Sequence, residues 1–395
     1  MRLRLSQQEF KRRRKEFFER IESKGLEGAC FFGPTAVFYL TGFPFLATER
    51  PVAVAITPED RVVLFVPRLE GEHAKEEVPD AEVRTYPEYP GEKHPLEQFK
   101  DILAEIGLAD KPLAADGDGY SSGQGYRGPK LSTLVSGKVT LAGEIVEEIR
   151  MIKSVEEIEL IRESARWGNL AHVLLQQYSR PGYTENEISM RASLEATLAM
   201  VKTLGKGYQP GGSGGATASA GFRGQIGKNS ALPHAITINA VLKEGDVLVT
   251  GAGSRVFGYG SELERTMFVG EPSSEQRKWF NLMVEVQDIA FEAIKPGRKC
   301  SEVDRAVRAF YDKYQIWEMW RHHVGHALGL LGHEAPFFDI GDDTVIKPGM
   351  VFSVEPGLYI NGFGGFRHSD TLVVTDDGIS MITYYPRDLE SMVCH

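Results

Sequence analysis

The sequence predicts a mixed α/β protein built from two domains. The 395 residues are more than one hydrophobic core usually holds. The first part alternates short apolar runs with helical patterns, and the second leads from long amphipathic helices into strands separated by glycines. We predict domains at residues 1–148 and 149–395, because a strong helix begins at the N-cap Ser154, which forms a capping box with Glu157.

The N-terminal domain begins with an amphipathic helix within residues 1–25. Its basic run, residues 11–15, is interleaved with phenylalanines and diluted by glutamates, so we expect a solvated basic face. Apolar runs bounded by turn residues then predict strands, and a helical pattern lies between them. The predicted strands are 28–32, 52–56, 61–66 and 81–86, and the helix is 96–106.

The C-terminal domain begins with helices over residues 154–204, broken at Pro181 and capped again at Thr184. The glycine-rich segment 205–227 fails the P-loop template, so we expect a substrate-covering loop or tight turns. Strands, a hairpin and two further helices follow. The predicted strands are 235–239, 246–249, 351–354, 359–360 and 371–375, the hairpin turns at 258–260, and the helices are 274–294 and 302–314.

Composition excludes several classes of function. The net charge of -10 argues against a nucleic-acid partner, because phosphate binding needs a basic surface. No apolar run is long enough to cross a membrane, and no signal-peptide core follows Met1. Three scattered cysteines fit a reducing compartment, so we expect a cytoplasmic protein.

Two acidic residues mark the first candidate site. Glu262 and Glu264 lie two apart in a predicted strand and therefore share one face. Holding two carboxylates together requires a cation, a proton or a cationic substrate between them. The alternative is a solvated face of an edge hairpin.

Histidines mark a second candidate region. Four of them, at positions 322, 323, 326 and 333, occur among glycines that allow a ligand to come close. Glu355 ends an apolar strand and needs a partner, because an unpaired buried carboxylate is unfavourable. His234, after a proline, is a further candidate.

These segments, in this order, resemble the creatinase, prolidase and methionine aminopeptidase superfamily. The resemblance implies a creatinase-like N-terminal α/β domain, a C-terminal pita-bread catalytic domain and a hydrolase. It rests on motifs spread along nearly the whole chain. They are Tyr39-Leu40-Thr41-Gly42, Arg150 to Ser154, Pro233-His234, Gly245-Asp246, Tyr259 to Thr266, His322 to His326, His333-Glu334, Lys347 to Met350, Glu355-Pro356 and Gly365 to Arg367.

Metal-dependent members of the superfamily hold two divalent ions with five side chains. By resemblance these positions fall on Gly251, Glu262, His326, Glu355 and Ser369. Glycine has no side chain to act as a ligand, and serine is a poor neutral one. We therefore expect no dinuclear centre.

The sequence also resembles creatinase, which looks like a metal-free branch of this fold. By resemblance, His234 shuttles the proton while Glu264 and Glu355 hold a guanidinium group, and His326 joins this catalytic set. The substrate-binding residues implied are Arg50, Glu262, His333 and Arg367. Arg50 matches an arginine that reaches a partner subunit, which implies a homodimer.

Three functions follow from these patterns. The leading hypothesis is a metal-independent hydrolase of a C–N bond in a small amidino, guanidino or amide compound, with no cofactor. The alternative is an Xaa-Pro dipeptidase or aminopeptidase with one Mn, Co or Zn ion at Glu262, His326 and Glu355, acting on a dipeptide. The third is a non-catalytic pita-bread binding module.

Overall fold

The computed structural model describes residues 2–211 and 217–395. The chain forms two compact units, one from Leu5 to Arg150 and the other from Met151 to His395 with the tail up to Arg4. Residues 212–216, within the predicted glycine-rich loop, lie outside the described residues. Among the helices described, none is both long and apolar enough to cross a membrane.

The N-terminal unit alternates helices and strands as predicted. A six-stranded mixed sheet has the order β4-β3-β2-β1-β5-β6, and its four inner strands, β3, β2, β1 and β5, are wholly buried apolar segments. The elements in chain order are α1 (Gln7–Glu22), β1 (Gly28–Phe31), α2 (Pro34–Thr41), β2 (Ala53–Ile56), β3 (Val62–Pro67), α3 (Gly71–Glu77), β4 (Glu82–Tyr86), α4 (Pro95–Glu105), β5 (Leu113–Ala115), α5 (Leu131–Leu134), β6 (Val139–Leu141) and α6 (Gly143–Met151).

The basic face predicted for α1 is solvated only in part. Arg13 and Arg14 are buried, because each donates to a backbone carbonyl of α2 and pairs with an acid. Arg13 pairs with Glu9, and Arg14 pairs with Asp60. The expectation of a wholly solvated face is wrong at these two positions, where a long-range acceptor compensates for burial.

In its described residues, the C-terminal unit combines four α-helices with a nine-stranded sheet and smaller sheets. The main path of the large sheet is β10-β9-β11-β18-β15-β13-β14, with β7 on β9 and β19 on β18. The elements are α7 (Val155–Tyr178), α8 (Glu185–Leu204), β7 (Ala218–Gly221), β8 (Val247–Val249), β9 (Gly251–Val256), β10 (Tyr259–Gly260), β11 (Leu263–Glu264), β12 (Thr266–Val269), α9 (Ser274–Ala293), α10 (Cys300–Tyr314), β13 (Gly325–Ala327), β14 (Glu334–Phe338), β15 (Val351–Val354), β16 (Gly357–Ile360), β17 (Gly364–Arg367), β18 (Ser369–Thr375), β19 (Gly378–Met381) and β20 (Val393–Cys394).

Local signals place the long helices. The capping box predicted at Ser154 begins α7, and the cap predicted at Thr184 begins α8, where it also forms a capping box, with Glu187. Helix α7 packs against β9 at a point where two glycines meet: a Cβ on Gly168 would lie 2.9 Å from the Cα of Gly253. This close approach anchors the strand that leads towards the acidic residues.

The prediction of a strand at 235–239 is wrong. These residues form an extended loop in which Ile236 and Ile238 are exposed. The backbone N–H groups of Ile238 and Ala240 donate to the buried carboxylate of Glu185 at 2.9 and 3.1 Å, which takes the place of a neighbouring strand. A side chain fifty-three positions away therefore decides the local structure.

Candidate functional site

Three side chains converge on the nine-stranded sheet. His326 lies on β13, Glu355 directly follows β15, and Glu262 directly precedes β11. His326 Nε2 lies 3.3 Å from Glu355 Oε1 and 4.0 Å from Glu262 Oε2. Ligand atoms of the three residues all lie within 4.8 Å of one another, and within residues 2–211 and 217–395 no other group of His, Cys, Asp or Glu side chains could hold an ion in this way.

The imidazole of His326 is held in one orientation. Its Nδ1 lies 3.0 Å from the carbonyl of Ala327, so Nδ1–H donates there and Nε2 faces the two carboxylates. Nε2 is buried and makes no hydrogen bond of regular geometry with the described residues. A buried nitrogen whose ring is fixed by its other nitrogen is the arrangement that metal-binding histidines use. The three donors therefore fit one divalent ion.

Burial and mutual charge set the protonation of this group. Burial and the charges of Glu355 and Glu264 raise the pKa of Glu262 to about 7. Burial opposes the charged form of His326, but the attraction of Glu355 and Glu262 outweighs it and raises the pKa of His326 to about 9. Burial also opposes ionisation of Glu355, yet the close approach of His326 and the charge of Arg367 hold its pKa below the ordinary value. The raised pKa values of Glu262 and His326 show that the group favours positive charge beside its carboxylates, and a divalent cation can supply that charge.

Two serine hydroxyls fix the carboxylate of Glu262. Ser353 and Ser369 each donate to Glu262 Oε1 at 2.8 Å. Ser369 stands where the resemblance places the last carboxylate ligand, and it acts here as a donor to another ligand. Gly251, at the first ligand position, supplies no side chain. The expectation of no dinuclear centre stays a prediction, and it agrees with this set of donors.

Glu264 is occupied by two arginines of the protein. Its Oε2 pairs with Arg367, which is buried and also donates to the hydroxyl of Tyr359 at 2.9 Å. Its Oε1 pairs with Arg223, whose side chain is half exposed. Because both carboxylate oxygens are already paired, Glu264 holds protein guanidinium groups in this structure.

Of the other predicted site residues, His333 contacts the donor His326, whereas His234 and Arg50 have other neighbours. The ring of His333 stacks on His326 with centroids 3.7 Å apart. Burial, followed by the charges of neighbours that include His326 and His234, lowers the pKa of His333. His234 is exposed and lines a separate depression beside Leu232 and Ile236. Arg50 belongs to the N-terminal unit, where it pairs with Glu49 and Glu88.

A cavity of about 480 Å³ opens beside Glu262 and Glu264. Small polar side chains and glycines form much of its wall, and Arg223 is one of two arginines that line it. Arg223 was not among the site residues predicted from the sequence. The local signal was the single basic residue between Phe222 and Gly224 in a glycine-rich segment, but only the fold brings it to Glu264.

Comparison with known proteins gives two family matches and many relatives. Residues 159–376 match metallopeptidase family M24, and residues 13–152 match the creatinase/prolidase N-terminal domain. An Xaa-Pro dipeptidase of Pyrococcus furiosus is 29% identical over 382 residues, covering 96% of this chain and 99% of that protein. A probable dipeptidase PepE of Mycobacterium tuberculosis is 33% identical over 63% of each chain.

Solved structures agree with these matches. An Xaa-Pro dipeptidase from Bacillus anthracis superposes with a TM-score of 0.80 at 26% identity, covering 97% of this chain and 99% of that one. A prolidase from Pyrococcus horikoshii gives a TM-score of 0.78 at 25% identity, covering 96% and 99%. These similarities confirm the predicted α/β fold with a creatinase-like N-terminal domain and a pita-bread C-terminal domain.

The same findings overturn the leading functional hypothesis. A metal-independent hydrolase of amidino, guanidino or amide compounds is wrong, because the catalytic domain matches a metallopeptidase family and full-length relatives are named Xaa-Pro dipeptidases. The missing ligand side chains at Gly251 and Ser369 were taken as evidence against any metal ion. Glu262, His326 and Glu355 nevertheless lie together and can hold one ion. The relatives are named as enzymes, which favours a hydrolase over a non-catalytic binding module.

Proposed function

Because this chain belongs to metallopeptidase family M24, we propose that it is a metal-dependent Xaa-Pro dipeptidase whose single divalent ion is held by Glu262, His326 and Glu355. The observation that carries the proposal is the convergence of these donors around the buried Nε2 of His326. Three such ligands leave a coordination position open, as catalytic metal sites require. A divalent ion bound there would supply Lewis-acid chemistry, by polarising the scissile carbonyl group and making water more acidic.

The side chains around the donors have roles of their own. Ser353 and Ser369 orient Glu262 through their hydroxyl groups. His333 stacks on His326, and its lowered pKa keeps the imidazole neutral near pH 7. A neutral imidazole can take a proton from water and pass it to the leaving nitrogen of the proline ring. We assign this step to His333, with exposed His234 as a second proton carrier.

A homodimer is also part of the proposal. One face of α8 exposes apolar side chains at helical spacing, at Met190, Leu194, Leu198 and Val201. We expect a second copy of the chain to cover this face. Light scattering after size exclusion tests the expectation, and Leu194→Glu should shift the measured mass towards that of one chain.

A cytoplasmic location is proposed because the three cysteines are buried and unpaired, and cell fractionation tests it.

The decisive experiment measures metal content and peptidase activity together. We expect the purified protein to hold about one ion of Mn, Co or Zn per chain and to hydrolyse glycyl-L-proline. A chelator should remove both the ion and the activity, and added ion should restore them. His326→Ala should abolish both, while the exposed His73→Ala serves as a matched control that retains both. A protein that binds none of the three ions and cleaves no dipeptide would overturn the proposal.

A further inference from the structure

Arg223 places a positive charge inside the cavity that its protein partners compensate only in part. Its guanidinium pairs with Glu264, but Glu264 is already paired with the buried Arg367. The side chain of Arg223 is 52% exposed, whereas those of Glu264 and Arg367 are each 4% exposed. Glu264 therefore keeps a partner without Arg223, and part of the Arg223 guanidinium remains open to a ligand in the cavity.

A rigid turn presents this arginine. Arg223 and Gly224 both have positive φ, +53° and +75°, and the N–H of Gln225 donates to the carbonyl of Phe222 at 2.8 Å. Such a turn strongly prefers Asn, Asp or Gly at its first central position, and an arginine there costs about 1 kcal/mol or more. The turn is tied down from outside, because the buried Glu185 accepts from the N–H of Gly224 at 2.9 Å. Strained residues that the surrounding structure holds in place are concentrated at functional sites.

Gly251 lies directly beside the guanidinium of Arg223. A Cβ at this position would lie 3.5 Å from Glu264 Oε1 and 3.9 Å from Nε and Cζ of Arg223. A carboxylate on residue 251 would consequently reach the same region. Gly251 and Arg223 therefore change the charge of this region in the same direction. Glycine at position 251 supplies no carboxylate, and Arg223 supplies a positive charge.

The charges of the site support the same conclusion. The site brings three carboxyl groups, those of Glu262, Glu264 and Glu355, close to the guanidinium groups of Arg223 and Arg367. Arginine stays ionised and directs its N–H groups in a fixed plane, so it can donate to an oxygen that becomes negative. One ion together with Arg223 gives the cavity two separate cationic centres.

We propose that Arg223 acts as a fixed cation in place of a second metal ion and donates to the scissile carbonyl oxygen as water adds to the carbonyl carbon. The guanidinium stabilises the negative charge that develops on this oxygen. An electron pair of the oxygen then re-forms the C=O bond as the C–N bond breaks, and the nitrogen leaves with the proton that His333 took from the water. The assignment of the reacting bond rests on the proposed dipeptidase function.

The first test separates binding from catalysis. Arg223→Ala should lower kcat on glycyl-L-proline about 100-fold with a much smaller change in KM, because the interaction strengthens as negative charge develops. Arg223→Lys should restore part of kcat, and millimolar guanidinium should partly rescue Arg223→Ala. Arg191→Gln, an exposed arginine on α8, is the matched control and should behave as wild type. An unchanged kcat in Arg223→Ala would overturn the proposal while leaving the dipeptidase function standing.

The second test does not depend on activity. In Gly251→Asp the new carboxylate should pair with Arg223, so the protein should bind no additional ion. In Gly251→Asp combined with Arg223→Gln, the new carboxylate and the freed oxygen of Glu264 should bind one additional Mn ion per chain, measured by elemental analysis after dialysis. Equal metal content in the two variants would contradict the fixed-cation role. A wild-type protein without peptidase activity would overturn only the dipeptidase function. The metal contents of Gly251→Asp and of the double variant would still test whether Arg223 takes the place of an ion.

Discussion

Arg367 and Glu264 form an ion pair in which each side chain is only 4% exposed. The pair lies beside the proposed ion site, because Arg367 Nε is also 3.8 Å from Glu355 Oε2. Arg367 joins Glu264, Glu355 and Tyr359 in one buried network. Removing one member of such a network leaves a charge without compensation at a buried position.

We expect Glu264→Gln to lower the free energy of unfolding by about 3 kcal/mol, because it leaves two guanidinium groups facing a neutral amide. The matched control is Glu271→Gln, which breaks the exposed pair with Arg277 and should cost less than about 1 kcal/mol. Urea unfolding of both variants measures the difference. Equal costs would show that the buried pair contributes no more than a surface pair.

The hydroxyl of Ser369 should tune the ion affinity. Ser369→Ala removes one of the two hydroxyl donors to Glu262 Oε1, and we expect the dissociation constant for Mn or Zn to rise about 10-fold. Ser219→Ala is the control, since Ser219 lines the same cavity and is exposed. Competition with a metal-sensitive dye measures both constants. If Ser369→Ala and Ser219→Ala bind the ion equally well, Ser369 does not orient Glu262.

Sequence reasoning succeeded where structure depends on neighbouring residues. The capping boxes at Ser154 and Thr184 are local, because the side chain and the backbone N–H that it caps are three positions apart. The helices predicted at 274–294 and 302–314 likewise agree with α9 and α10 to within about two residues. The family resemblance extended this to the order of the two domains.

The site was harder to predict because its contacts join distant parts of the chain. The pairing of Arg223 with Glu264 spans forty-one positions, and that of Arg367 with Glu264 spans one hundred and three. No periodicity encodes such a contact. The three ion donors were identified as a set only through resemblance, and the loss of two ligand positions then gave too much weight to a metal-free reaction.

Gly325 should be essential for the strand that carries His326. A Cβ at this position would lie 2.1 Å from the carbonyl oxygen of Ser353, which belongs to the rigid neighbouring strand. We expect Gly325→Ala to cost about 2 kcal/mol or more in unfolding free energy, because strand β13 must move away from β15. The shift should also reduce bound metal.

Gly332→Ala provides the control for this prediction. The described residues place nothing within 4 Å of a Cβ there, so we expect a change within about 0.5 kcal/mol. Thermal unfolding and elemental analysis of the two variants are the measurements. A Gly325→Ala protein with normal stability and normal metal content would show that the two strands separate easily.

Buried His172 should make stability depend on pH. Burial, followed by the charge of Arg265, lowers the pKa of His172 to about 3. Nε2 lies 2.7 Å from the hydroxyl of Thr250, and Nδ1 is buried without a partner among the described residues. Protonation would therefore place a second positive charge beside Arg265 in a water-free environment.

The sign of the effect follows from proton binding. An unfolded histidine titrates near pH 6.5, so between that pH and about 3 the unfolded chain binds a proton that the folded chain does not. The stabilising contribution is complete above pH 6.5 and is lost as the pH falls. At pH 5 the loss should be about 2 kcal/mol relative to pH 7.5. His172→Gln should lack this part of the pH dependence, while His73→Gln, at an exposed histidine, should retain it. Urea unfolding at pH 5 and pH 7.5 measures both, and equal slopes for wild type and His172→Gln would contradict the assignment.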